Sequence, residues 1–159
     1  MRILPLQPVT PEAFAPYGAL MIPPAEAGER ALHSQWLTEP AEVPVQMHLN
    51  RVPASKLPLS LDEAERHPAA PQAFVPVDVA LYVAVVVGDG DAPDLEAARA
   101  FLVPGSVGVV YAPGVWHASA TVLEETGHFC VLMRRRNDGT DDVFATLPEP
   151  VAVGFAAPG

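Results

Sequence analysis

The chain has 159 residues, half of them hydrophobic and 18% charged, with a formal net charge of −10. That is a folding composition, and the length suits one core over residues 1–159 better than two domains. The acidic field excludes nucleic acid and anionic membrane surfaces as partners, while an anionic substrate stays open because a few local arginines dominate at short range.

Nineteen prolines are spread along the chain. Proline is incompatible with central strands and helix interiors, so this spacing predicts many short elements joined by turns. Residues 1–40 read as extended pieces with a short helical turn at Pro11–Phe14, followed by a polar loop around Ala25–Arg30. From Val43 to Val52, the alternation of Val43, Val45, Met47 and Leu49 predicts a half-buried strand. Ser60, with Glu63 three residues later, has the capping-box pattern of a brief helix over Ser60–His67. Ala80–Val87 is β-branched and apolar on both faces, which predicts a central strand, broken by Gly88-Asp89-Gly90-Asp91. A one- to two-turn helix is expected over Asp94–Ala100, capped by Asp94. Short strands are then expected at Phe101–Val103, Gly108–Tyr111, Ala118–Leu123, His128–Arg134 and, closing the set, Val143–Thr146. Arg136–Asp142 reads as a loop. Many short strands with little helix imply an all-β barrel or double-sheet sandwich with a few short helices.

The single cysteine, Cys130, allows no intrachain disulfide and no cysteine-based zinc site, and reads as a small apolar side chain. No apolar run approaches ~20 residues, and Pro5 and Pro8 interrupt the start. A cytoplasmic protein is expected.

Of five histidines, two have a context that points to chemistry. His117 follows Pro113-Gly114-Val115-Trp116, a turn leading into a strand that would hold the imidazole at a barrel mouth. His67 stands two residues after Glu65 and five before Gln72. On an extended chain Glu65 and His67 share one face, whereas on a helix they diverge; Pro68 biases His67 towards extended backbone.

Glu65, His67 and Gln72, with His117 after the Pro113-Gly114 turn, resemble the two paired motifs of the cupin superfamily, with Glu in place of the first His and Gln in place of the usual Glu. A closer resemblance rests on Leu57-Pro58-Leu59, Glu65-Arg66-His67-Pro68, Gln72-Ala73-Phe74-Val75-Pro76, Pro93-Asp94-Leu95, Arg99-Ala100-Phe101, Gly108-Val109, Tyr111 and Val115-Trp116-His117. In that order and spacing, over roughly Pro5–Asp142, the chain resembles the ureidoglycolate lyase family, once called ureidoglycolate hydrolase. The resemblance implies a cupin-type β-barrel homodimer in allantoin and purine nitrogen catabolism. Its members cleave ureidoglycolate to glyoxylate and urea, a carbon–nitrogen lyase reaction of the amidine-lyase type. It also implies a divalent metal, nickel being the one associated with the family, and leaves metal-free acid–base catalysis open.

The residues expected to carry the chemistry are His67, His117 and Glu65, with Glu65, His67, Gln72 and His117 as the metal set. Arg51, Gln72, Tyr111 and Trp116 are expected to meet the substrate, Arg51 as a bidentate clamp for its carboxylate. Packing is the competing reading for Trp116 and an ion pair for Arg51. In Arg134-Arg135-Arg136, alternation could send Arg134 into the barrel and Arg135 outwards. The chain departs from the family at three places. Ala118 and Ser119 follow His117 where a second histidine is common. His33-Ser34-Gln35-Trp36 lacks an asparagine. Phe144 stands where an acidic or amide residue is usual. Competing functions are therefore a non-catalytic cupin that binds a small carboxylate, a cupin enzyme acting on a related ureido or α-hydroxy acid, and a metal-dependent sugar or keto-acid isomerase.

Overall fold

The computed structural model describes residues 1–156. Its strands are β1 (Arg2–Pro8), β2 (Gly18–Met21), β3 (Val45–Val52), β4 (Ala54–Ser55), β5 (Leu59–Arg66), β6 (Gln72–Pro76), β7 (Leu81–Val87), β8 (Ala98–Pro104), β9 (Gly108–Tyr111), β10 (Thr121–Leu123), β11 (Gly127–Arg134) and β12 (Val143–Gly154). One short helix, α1 (Pro11–Phe14), and a 3-10 turn at Ser34–Leu37 complete the set among the described residues. The strands form a seven-stranded sheet in the order β4-β10-β7-β8-β1-β12-β5 and a five-stranded sheet in the order β2-β9-β6-β11-β3. This is the all-β, two-sheet architecture expected of a cupin-type barrel. No helix among the described residues is long and apolar enough to cross a membrane.

Strand β7 is apolar on both faces because both are covered. Val83, Val85 and Val87 join Leu4, Leu6, Trp116 and Val153 in one cluster. Tyr82, Ala84 and Val86 join Phe74, Phe101, Tyr111 and Phe129 in a second, between the sheets. The larger sheet nearly closes on itself through residues 114–118. His117 exchanges backbone hydrogen bonds with Glu65 at the end of β5 (2.8 and 2.9 Å), and Val87 N donates to Trp116 O (2.7 Å) at the end of β7. Trp116 N donates to Gly88 O and Ala118 N to Val85 O. One short segment thus joins an edge strand to an interior strand and carries His117 to the seam.

Two expected helices are strands or turns instead. Leu59–Arg66 is β5, paired antiparallel with β12 from Val143↔Arg66 to Val153↔Leu59. The capping box at Ser60 and Glu63 is local, and a full ladder to a distant strand outweighs it. Asp94 does cap backbone, accepting from Glu96 N at 2.9 Å, but in a turn. The rest of the expected helix is the start of β8, which pairs with β7 from Val87↔Ala98 onwards. The closing strand is longer than expected: β12 runs to Gly154, with a register break between Thr146 and Val151 that holds Pro148 and Pro150 outside the ladder. Residues 2–8, expected only as extended chain, form a strand parallel to both neighbours, β12 and β8.

Candidate functional site

Because residues 65–67 are extended, Glu65 and His67 face the same side, towards the gap between the two sheets. Gln72 opens β6, paired with Tyr111 of β9 on one side and Met133 of β11 on the other. His117 arrives from the closing segment. Glu65, His67 and His117 each offer a ligand atom, all within 4.8 Å of one another. They are joined by Gln72, whose Oε1 lies 3.0 Å from His117 Nε2. Glu65, His67 and Gln72 line a cavity of about 370 Å³, whose wall also includes His48, Asn50, Phe74, Ser119, Arg135, Asp142 and Phe144, and His117, 1% exposed, sits just behind it.

The proton positions follow from the partners. His117 Nδ1 is 2.9 Å from Val115 O, which only accepts, so Nδ1 carries the hydrogen and Nε2 presents a lone pair. His67 Nδ1 is 3.2 Å from Asp141 O and 3.1 Å from Asp142 Oδ1, again acceptors only. Its Nε2 is buried and has no partner. Gln72 Nε2 is turned to Met133 Sδ, which leaves its carbonyl oxygen directed at His117 Nε2, another acceptor. The Nε2 atoms of His117 and His67, the Gln72 amide oxygen and the Glu65 carboxyl therefore converge on one space. His67 Nε2 has no partner of its own there, and a cation in that space would satisfy it. The donors fit a divalent first-row transition metal: two imidazoles, one carboxylate and one amide oxygen. Asp141 O fixes the imidazole of His67 from behind, with the Asp142 carboxylate beside it, the kind of support that orients metal-bound histidines.

Burial sets the electrostatics. The Glu65 carboxyl is pushed above the usual carboxylate range by desolvation, opposed by His67 and Arg135 and aided by Asp142. Desolvation holds His117 down at about 3, with the Val115 hydrogen bond opposing and His67 adding. His117 is thus neutral at ordinary pH, as a ligand must be. The Tyr111 ring stacks on His117 at 4.1 Å and 10°, and burial, with the Glu65 charge, raises its hydroxyl well above the phenol range.

Of the expected substrate contacts, Gln72 lines the cavity, while Tyr111 lies one layer behind it against His117. Trp116 does not reach the cavity. It is 1% exposed, its indole donates to Gly90 O at 2.9 Å, and the Arg66 guanidinium covers its ring at 4.7 Å. Arg51 is also displaced from its expected role. On β3 the residues facing the cavity are His48, Asn50 and Val52, so the pleat sends Arg51 outwards with Met47 and Leu49. The order of the arginines is reversed as well. Arg134 points outwards and bonds the carbonyls of Leu37, Ala41 and Val43, while Arg135 enters the cavity. The sequence reading missed Arg135, Asp142, His48 and Asn50. The β3 alternation contained the signal for His48 and Asn50, since hydrophobic residues occupied the opposite face, but that face is the exposed one.

A family model described as Ureidoglycolate lyase matches residues 1–154. A ureidoglycolate lyase of Pseudomonas syringae pv. syringae (strain B728a) is 35% identical over 143 residues, covering 84% of each chain. One from Escherichia coli (strain K12) is 32% identical over 158 residues, covering 92% of this chain and 95% of its own. One from Pseudomonas aeruginosa (strain LESB58) is 33% identical over 159 residues, covering 94% of each. Among solved structures, RmlC from Streptococcus suis in complex with dTDP-D-xylose gives a TM-score of 0.46 at 10% identity, over 60% of this chain and 47% of that one.

Proposed function

The chain belongs to the ureidoglycolate lyase family, and from that premise we propose that it cleaves ureidoglycolate to glyoxylate and urea at the Glu65–His67–Gln72–His117 cluster. The observation that supports this most directly is the convergence of two imidazole nitrogens, one carboxylate and one amide oxygen at a cavity sized for a small acid. Those four residues would hold a divalent metal, nickel by resemblance to the family. Such an ion lowers the pKa of a hydroxyl it binds.

Ureidoglycolate carries a carboxylate, a hydroxyl and a ureido nitrogen on one carbon. Cleavage moves the hydroxyl proton to a base, forms the carbonyl, and breaks the carbon–nitrogen bond as the nitrogen gains a proton. Glu65 suits this exchange by position, since its carboxyl lies at the cavity wall, where it can take the hydroxyl proton and return it to the leaving nitrogen. No proton is gained or lost overall. His67 and His117 each place Nδ1 on a backbone carbonyl, Asp141 O and Val115 O, which suits them to hold geometry. Tyr111 stays protonated and fixes the ring plane of His117.

Strands β7 and β8 contribute to both hydrophobic clusters, which supports one domain over residues 1–159. A homodimer is supported by the family and by the outer face of edge strand β3, where Val45, Met47 and Leu49 are 46%, 70% and 71% exposed. The unpaired, half-buried Cys130 suits a reducing cytoplasm.

The test is incubation of the purified protein with ureidoglycolate, with and without chelator, measuring urea, glyoxylate and ammonia together. Equal amounts of urea and glyoxylate are expected; release of ammonia would replace the lyase with an amidohydrolase. The competing reading of a non-catalytic carboxylate binder is favoured if glyoxylate raises the melting temperature while no ureido acid is turned over.

A further inference from the structure

We propose that Arg135, held by Asp142 at the cavity wall beside His67, anchors the substrate's carboxylate; this rests on the lyase reading above. An acidic chain of net charge −10 must provide a local cation for an anionic ligand. Among the residues lining the cavity, Arg135 is the single arginine or lysine. Its neighbours are committed elsewhere. Arg134 bonds three backbone carbonyls, Arg66 covers Trp116 and donates to Gly90 O, and Arg136 pairs with Asp141.

The guanidinium has five N–H donors in a planar fork. Asp142 Oδ2 is its hydrogen-bond partner among the described residues, and a third of the side chain stays exposed at the cavity. Donors are left over for a second carboxylate. The backbone beneath is held from both sides: Arg135 N donates to Pro44 O at 3.1 Å, and Arg135 O accepts from Gln46 Nε2 at 3.1 Å. The other oxygen of Asp142 is 3.1 Å from His67 Nδ1. The His67 Nδ1 hydrogen goes to Asp141 O, so Asp142 holds the fork while lying beside the imidazole, and Arg135 stands at the cavity wall next to the donor cluster. The positive charge of Arg135 also reaches Glu65, where it offsets part of the effect of burial.

Binding of glycolate and of its neutral amide, glycolamide, to the purified protein by titration calorimetry separates anchoring from support. Arg135→Ala is expected to weaken glycolate about 100-fold and glycolamide less than about 3-fold, with KM for ureidoglycolate rising by a factor similar to that for glycolate and kcat moving far less. Equal weakening of the two ligands, or a wild-type protein that binds glycolate no better than glycolamide, overturns the proposal. If the alanine variant fails to fold, Arg135→Lys keeps the charge and loses the fork. It is expected to weaken glycolate about 10-fold and spare glycolamide, and equal losses again overturn the anchor. Failure of the lyase reading looks different. The wild type would then leave ureidoglycolate intact while glycolate binding still depended on Arg135.

Discussion

At the scale of single residues, the site is defined by where lone pairs point. His67→Ala or His117→Ala removes an imidazole from a cluster in which every donor faces one point, so each should cut kcat/KM by about 10³-fold or more and abolish stoichiometric metal binding. Asp142→Asn tests support without touching the cluster. Metal affinity should fall about 10–100-fold, measured by competition with a chelator, because the negative charge beside the imidazole of His67 is lost. The departures from the family also separate at this scale. Ala118, where a second histidine is common, is 5% exposed and packed in the hydrophobic cluster behind the seam, whereas Ser119 and Phe144 face the cavity. The residue after His117 thus turns away from the substrate. The difference in the cavity itself is carried by Ser119 and Phe144. The pair Glu65 and His67 was legible because period two on extended chain is a local property. Arg135 was not, since its direction depends on the register of β11 against β3.

Elements explain why those residues meet. The closing segment 114–118 is held on one side by β5 and on the other by β7, and Trp116 is its packing core. Trp116→Ala should cost about 3–5 kcal/mol, seen as a fall of about 6–20 °C in melting temperature, and should weaken metal binding because His117 loses its frame. The turn between β8 and β9 shows a tighter constraint. A Cβ at Gly105 would lie 1.6 Å from Val79 O, a backbone atom that cannot yield. Gly105→Ala should therefore destabilise by more than about 3 kcal/mol in a urea titration, although no side chain is lost. Strand β5 carries the lesson about sequence. Its capping box at Ser60 and Glu63 read as helix, and the strand's identity came from pairing with β12 some eighty residues later.

For the whole molecule, charge and assembly are the testable properties. In the metal-free protein His117 is held neutral down to about 3, while the unfolded chain takes up a proton near 6.5. The unfolded state then binds more protons over that interval, so stability falls as pH falls below 6.5, by about 2 kcal/mol between pH 6.5 and 5. Glu65 acts in the opposite sense, because its raised pKa lets the folded state bind the extra proton just above the ordinary carboxylate range. The slope from His117 should therefore stand out in Glu65→Gln, followed by denaturant unfolding across pH. Added nickel should raise the melting temperature of the wild type in a concentration-dependent way, and the effect should fade on acidification as the ligands protonate. Assembly is tested on the outer face of β3. Met47→Asp should convert a dimer to a monomer by light scattering while leaving the cavity, on the opposite face, able to bind glycolate.

What the sequence determined by itself was local: many short strands, an apolar strand at 80–87, the shared face of Glu65 and His67, and spaced motifs that mark one family. Those features depend on residues within one turn or one strand of each other. The tertiary structure decided which face of each strand looked inwards. It sent Arg51 out and Arg135 in, made residues 59–66 a strand, and brought His117 against Glu65 across the seam. A one-residue change of register reverses every side chain on a strand, and register is set by partners far away in the chain. The identity of the cluster could be read along the sequence, but the arginine that faces it could not.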